Sequence, residues 1–290
     1  MSETTLRAAV GVWAPVLKVP AGPASLAVGR HGNGPPVICL HATGHGGRDF
    51  EHFADRVGSR FEVIAVDWPG QGHSPSDGTP ASAAHYADLL ESVVPQLTRE
   101  PPILLGNSIG AAAALIYAAR WPERVRALVL CNPGGLAPLD ATARAFIKGM
   151  VAFFRAGSAG ARWFPAAFRA YYRLVLPGRP ARVQRGRIVA ACMEVAPVLA
   201  EAWRSFAQPD SDLRQVAEGL QVPVLYAWAK DDRVVAWSRS KAAVLRTPHH
   251  RVEMFRGGHA PFLEDPDAFA QCFIAYVQSE IDRRKSHGEF

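Results

Sequence analysis

No apolar run in the chain approaches the roughly 18 residues that a membrane-spanning helix needs. The longest candidate, Gly110 to Ala119, is far too short, so no transmembrane segment is expected. Cysteine is also scarce: Cys39, Cys131, Cys192 and Cys272 stand far apart, with no C-x-x-C pair and no metal-ligand rhythm. That excludes a disulfide scaffold, and it points to reduced, mostly buried thiols in a cytoplasmic protein. Internal repeats and low-complexity tracts are absent. Acid is missing from one long stretch: between Ala141 and Met193 there is no Asp or Glu, yet there are ten basic residues, Arg144, Lys148, Arg155, Arg162, Arg169, Arg173, Arg179, Arg182, Arg185 and Arg187. The formal net charge is +6, so the rest of the chain, with 22 basic against 26 acidic residues, is slightly acidic. What is present is apolar material, 49% of 290 residues, enough to bury a sizeable core and to exclude a disordered chain.

Near the N-terminus, Arg7 precedes an apolar segment from Ala8 to Leu17, which Pro15 interrupts and Lys18 closes. It reads as the first strand region rather than as a cleaved signal. Nearly continuous apolar runs then recur at Pro36–Leu40, Phe61–Val66, Pro102–Leu105, Val125–Leu130 and Val222–Trp228, as expected of strands covered on both faces. Helical patterns separate them at Ala81–Leu97, Ile109–Arg120, Ser238–Leu245 and Asp267–Arg284, the last opening with Asp265-Pro266-Asp267. Such alternation predicts an α/β fold with a doubly wound, mostly parallel sheet. Between Pro138 and Gly219 strands stop. Phe146, Ile147, Met150, Phe153 and Phe154 recur at helical spacing, as do Phe168, Tyr171, Tyr172 and Val175; Pro177 to Pro180 breaks the chain, and two further helices are expected at Ala181–Glu194 and Pro197–Phe206. The expected organisation is a core of residues 1–137 and 220–290 with a helical lid inserted at 138–219.

The strongest chemical signal is Gly106-Asn107-Ser108-Ile109-Gly110, between an apolar run and a helical run. A G-x-S-x-G at a strand-to-helix turn lifts a serine hydroxyl above a sheet and sets it against a helix N-terminus that favours developing negative charge. Ser108 is thus the expected nucleophile. A serine hydroxyl needs a general base and a group to orient that base. Of ten histidines, His259 in Phe255-Arg-Gly-Gly-His-Ala-Pro lies in a loop after a short apolar stretch and before the last helix, where it can return to the sheet edge. The orienting acid should follow a strand, and Ala229-Lys230-Asp231-Asp232-Arg233 does so; Asp232 is preferred to Asp231.

Four landmarks in order make the chain resemble the α/β-hydrolase family, in its lidded serine hydrolase and esterase branch, from about Ala24 onward. They are Leu40-His41-Ala42-Thr43-Gly44, Asp67-Trp68-Pro69-Gly70-Gln71-Gly72-His73-Ser74, the Ser108 turn, and the pair Asp232 and His259. Some members of the family place the acid after the strand that here ends at Leu130; that position reads Cys131-Asn132-Pro133-Gly134, without a carboxylate. The resemblance implies an oxyanion hole from the backbone N–H groups of Ile109 and Thr43, with Ala42 standing where glycine is usual, and a bracing role for His41. Metal binding by His41 and His45 is not expected, because Ala42 to Gly44 and Gly46-Gly47 make a loop there. Gly70-Gln71-Gly72 lacks the third glycine of a dinucleotide fingerprint. Ser rather than Asp at the turn favours ester-type chemistry without a cofactor. The Gly-Asn-Ser form also occurs in carbon–carbon hydrolases of ring-fission products, which usually carry Trp after the catalytic His where this chain has Ala260. A ligand-binding protein without catalysis is the third reading.

The aromatic residues of the expected lid supply its packing, and Phe146, Phe153 and Tyr171 are taken as candidates for an apolar acyl pocket. Arg169 and Arg173, four apart on one helix face, are candidates for attracting an anionic or carrier-linked acyl substrate. Nucleic acid is not expected, since the aromatics are not interleaved with the basic residues.

Overall fold

The structure, a computed structural model, describes residues 10–287. One sheet holds eight strands: β1 (Leu17–Ala21), β2 (Ala24–His31), β3 (Pro36–Leu40), β4 (Glu62–Asp67), β5 (Ile103–Asn107), β6 (Ala127–Cys131), β7 (Val224–Ala229) and β8 (His250–Phe255). Their order is β1-β2-β4-β3-β5-β6-β7-β8; β2 is antiparallel to both β1 and β4, and every pairing from β4 through β3 to β8 is parallel. In β3, Val37 and Cys39 enter one buried cluster while Ile38 and Leu40 enter the other; Leu105 and Leu104 divide in the same way in β5. Both faces of each central strand are therefore apolar, which is why these strands read as continuous runs rather than as alternating ones.

The first sheet-covering helices are α1 (Glu51–Val57), α2 (Ala83–Leu97) and α3 (Ile109–Arg120). The segment between β6 and β7 holds α4 (Ala141–Ser158), α5 (Phe164–Val175), α6 (Arg182–Ala190), α7 (Cys192–Ser205) and the short α8 (Arg214–Glu218). Then follow α9 (Trp237–Val244), α10 (Pro261–Glu264) and α11 (Pro266–His287). Phe53 of α1 and Phe269 and Phe273 of α11 pack on one face of the sheet, and Tyr86 of α2, Leu115 of α3 and Val244 of α9 on the other, a doubly wound arrangement. Ser82 caps α2 by accepting a hydrogen bond from His85 N–H at 3.1 Å, so this helix begins two residues later than its pattern suggests.

Two expectations are corrected. The strand expected in Ala8–Leu17 begins only at Leu17; residues 8 and 9 lie outside the described part, and Val10 and Val12 are buried in irregular backbone. That backbone is satisfied by loops instead of a neighbouring strand: Val10 C=O accepts from Arg48 N–H, and Val12 N–H donates to Asp67. The break expected between Glu194 and Pro197 falls at Ala191, so Pro197 lies inside α7. Its ring removes one intrahelical bond, which the packing of Val195, Ala196 and Leu199 into the core offsets.

Helices α4 to α7 do not form a separate core. Phe154, Phe164, Phe168, Tyr172, Ile188 and Val195 belong to the same buried cluster as Phe50 and Phe262 beneath them. Short α8 leaves this group: Leu213 and Ala217 pack with the opposite cluster, against the sheet. Strand β3 pairs with β4 on one side and β5 on the other, so the loops after β3 and β5 diverge. A crevice opens at the carboxyl ends of these strands, under α4, α5 and α7.

Candidate active site

At the end of β5 the chain turns directly into α3 through Ser108, held at φ 54° and ψ −115°. The two glycines of the motif are steric necessities. A Cβ on Gly106 would lie 2.5 Å from Ala111 Cα, and one on Gly110 would lie 2.3 Å from the Leu40 carbonyl oxygen. Ser108 N–H donates to Cys131 C=O at 3.0 Å, so the strained serine is tied to β6 while its side chain reaches the crevice.

The candidate acid and base follow β7 and β8. Asp232, just after β7, accepts Val234 N–H at 2.7 Å and Val235 N–H at 3.1 Å on Oδ1. Its Oδ2 faces His259 Nδ1 at 2.8 Å. Burial opposes the charge on Asp232, but His259 and the hydrogen bonds from His259, Val234 and Val235 more than offset it and hold the carboxyl below its usual range. A carboxylate at Nδ1 makes that nitrogen the proton carrier, which leaves Nε2 as the basic atom. The oxyanion-hole candidates also meet here: Ser108, Ile109, Thr43 and His259 all line one cavity of about 390 Å³. Ile109 is the first residue of α3, and neither its N–H nor that of Thr43 has an acceptor among the described residues. Ala42 is not among the residues with positive φ; Gly44, at φ +78°, makes the left-handed step instead.

The loop carrying Thr43 is held from below. Gln71 Oε1 accepts Gly44 N–H at 2.7 Å, and Gln71 Nε2 donates to Tyr86 OH at 2.9 Å. His41 Nε2 accepts Trp68 N–H at 3.1 Å, so its Nδ1 carries the proton and donates to Ala42 C=O at 2.7 Å. Complete burial lowers the His41 pKa despite the nearby Asp67, as a neutral brace requires. Asp67 itself accepts from Gly47, Val12 and His73 N–H groups, gathering three loops beneath the crevice. His45 pairs with Asp49 at 2.5 Å, and Asp49 also accepts from Gln184 of α6 at 2.6 Å.

Three residues that sequence reasoning missed complete the framework. Asn107 Nδ2 donates to the carbonyls of His259 at 2.9 Å and Cys131 at 3.1 Å. Asn132, at the end of β6, donates Nδ2 to Asp232 Oδ2 and accepts Ala229 N–H at 3.1 Å on Oδ1. Glu264 of α10 accepts from Gly258 N–H in the His259 loop and from Gly178 N–H, at 2.6 Å, in the turn after α5. Each is a buried or half-buried polar residue beside a motif, and for Asn107 and Asn132 that adjacency is the only signal the sequence carries.

The matching region of the alpha/beta hydrolase family spans residues 37–272, which includes Thr43, Ser108, Asp232, His259 and Glu264. The chain belongs to that family. Among curated relatives, it is 28% identical over 261 residues to a pimeloyl-[acyl-carrier protein] methyl ester esterase of Xanthomonas oryzae, covering 86% of this chain and 97% of that one. Among solved structures it resembles a thermophilic esterase from Thermogutta terrifontis, with TM-score 0.77 at 21% identity over 92% of this chain and 99% of that one. An enol-lactonase from Burkholderia xenovorans matches with TM-score 0.74 at 17% identity over 90% and 100%.

In this alpha/beta hydrolase the cavity walls come mostly from the segment after β6, from α4, α5 and α7, and from the turn after Asp232. Phe146 and Tyr171 line the cavity, together with Ile147, Tyr172, Leu199 and Val234. Phe153, Arg169 and Arg173, also expected there, do not. Phe153 is packed among the rings of Phe154, Trp163, Phe164 and Tyr171. Arg169 and Arg173 lie on the side of α5 opposite Phe168 and Tyr172 and are exposed. Arg233 and Arg239 are the cavity's cations instead. Arg239 pairs with Asp140 at 2.6 Å, whereas Arg233 has no carboxylate partner among the described residues.

Proposed function

We propose that this chain is a serine hydrolase that cleaves a carboxylic ester, or a related lactone or thioester, through an acyl-enzyme on Ser108. The observation that carries the reading is the meeting, at one cavity, of a strained turn serine, a carboxylate-oriented imidazole and two unengaged backbone N–H groups. In the first half-reaction Ser108 Oγ attacks the substrate carbonyl and its proton passes to His259 Nε2. Thr43 and Ile109 N–H groups stabilise the oxyanion, and His259 returns the proton to the leaving alkoxide or thiolate as that bond breaks. Water, deprotonated by His259, then attacks the acyl-Ser108 ester, and the serine recovers its proton when the acid product departs. Asp232 holds the imidazole in its productive tautomer and stabilises the imidazolium.

The cavity wall favours an apolar acyl portion of medium length, and Arg233 in its lining favours an anionic group on the substrate. The relative named for a carrier-linked methyl ester supports the same class of substrate. Two measurements test the reading. A fluorophosphonate should label the protein on Ser108, and Ser108→Ala should abolish labelling and lower ester turnover by a factor on the order of 10⁶. A panel of short esters, long esters, lactones, thioesters and a ring-fission dienoate should show ester-type cleavage as fastest. No label on Ser108 would mean a binding protein on this fold, and a dienoate cleaved faster than every ester would mean a carbon–carbon hydrolase.

A further inference from the structure

Helix α5 turns Phe164, Phe168, Tyr172 and Val175 into the core. At about 100° per residue, Arg169 and Arg173 fall on the opposite side, and Arg162, seven residues before Arg169, continues their line. A second stripe runs beside it. Trp163, which has helical backbone angles of φ −77° and ψ −21°, shares this stripe with Ala170 and Leu174. Trp163 is 53% exposed and Leu174 51% exposed, both high values for large apolar side chains. Of the eight exposed large apolar residues in the described chain, five (Phe146, Trp163, Leu174, Val183 and Met193) lie between Ala141 and Met193, the stretch without a single acid.

The arginines are not engaged internally. Among the described residues no salt bridge joins Arg155, Arg162, Arg169, Arg173, Arg179 or Arg182 to a carboxylate. All six are exposed, and they flank α5 at both ends as well as along its length. The composition of this face is specific in kind. Guanidinium forks bind phosphate oxygens in pairs. An indole prefers the boundary between water and hydrocarbon. Large apolar side chains stand exposed beside the guanidinium groups on this one helix. A deformable, phosphate-rich layer suits it better than a rigid acidic protein.

We propose that the outer face of α5, with Arg162, Arg169 and Arg173 on headgroup phosphates and Trp163 and Leu174 in the interfacial layer, docks this protein onto anionic phospholipid bilayers. The inference is independent of the catalytic reading, since none of these five residues lines the cavity.

Co-sedimentation tests it, using vesicles of phosphatidylcholine alone and vesicles in which about a third of the lipid is phosphatidylglycerol, at low and high salt. The full chain should bind the anionic vesicles and not the zwitterionic ones. A triple variant, Arg162→Glu with Arg169→Glu and Arg173→Glu, should lose on the order of a hundredfold in partitioning. Trp163→Ala should bind several-fold more weakly while keeping its salt dependence. Unchanged thermal unfolding would establish that these surface variants fold, and the corresponding Arg→Gln triple gives the same reading should charge reversal unfold the chain. Absence of binding to anionic vesicles, equal binding to both vesicle types, or undiminished binding by the folded triple variant would overturn the proposal. Polyglutamate binding that depends on the three arginines, with no vesicle binding, would also overturn it and assign the face to an acidic polypeptide.

Discussion

A single asparagine links two ways of placing the acid in this fold. Asn132 stands at the end of β6, at φ 45°, and its amide reaches the same Asp232 oxygen that takes the His259 proton donor. Its second role, accepting Ala229 N–H, fixes which end of the amide points at Asp232. Removing that donor by Asn132→Ala leaves Oδ2 with His259 alone, so burial opposes the charge more effectively and the Asp232 pKa rises. The value of kcat should fall about tenfold, a size typical of one hydrogen bond to a buried charged group. The adjacency also predicts a rescue. Asp232→Asn should cost a factor on the order of 10⁴ in kcat. Adding Asn132→Asp to that variant returns a carboxylate to the β6 position and should recover at least about tenfold. If the double variant is as inactive as Asp232→Asn alone, Asn132 does not share the acid's space in the way the geometry implies.

At the level of elements, the segment after β6 is stitched to the loop that carries His259. Val175, the last residue of α5, accepts His259 N–H at 2.8 Å, and Glu264 bridges Gly178 to Gly258. No side chain fits at Gly258, where a Cβ would lie 2.2 Å from the Val175 carbonyl oxygen. Burial raises the Glu264 pKa, and it does so against the Gly258 and Gly178 N–H groups and the nearby Arg185 and His259. A carboxyl whose folded pKa lies above its unfolded one contributes its stability below the ordinary value of 4.5 and loses it as pH rises through the raised value. Glu264→Gln cannot titrate, so the melting temperature of the native chain relative to this variant should be highest in acid and decline toward neutrality. Parallel melting profiles from pH 4 to 8 would show that Glu264 contributes nothing through its proton. The sequence gives no hint of this strap, because Glu264 precedes Asp265-Pro266 and reads as ordinary helix-start acid. The elbow, by contrast, was legible because its constraints are local: the clashes that require Gly106 and Gly110 arise within a few residues and one adjacent strand. Strands β3 to β7 were legible because both faces are buried. Edge strand β8, His250–Phe255, mixes charged and apolar residues with only Phe255 fully buried, and so carries no comparable signal. Helical spacing placed Arg169 and Arg173 on one face but could not say that the cavity lies on the other.

Across the whole molecule, charge is divided between a slightly acidic body and a segment of ten cations with no acid; Thr142, Ala143, Phe146, Ile147, Tyr171, Tyr172 and Val175 of that segment line the cavity, and none of its ten cations does. At low ionic strength such an asymmetry raises the local concentration of anions near the cavity and speeds their encounter. Neutral molecules experience none of this. The Debye length falls from about 30 Å at 0.01 M salt to about 8 Å at 0.15 M, so the attraction should be largely screened across that range. Two esters that differ only in a distal carboxylate separate the effect from any action of salt on catalysis itself. For the anionic ester kcat/KM should fall several-fold between these conditions, mainly through KM, while the neutral ester stays nearly constant. Arg233→Ala adds the local contribution: it should lower kcat/KM for the anionic ester at every salt concentration and leave the slope with salt largely intact, because the slope belongs to the distributed charge. Equal salt dependence for both esters would mean that the basic segment does not guide substrate, and that its cations serve only the surface they cover.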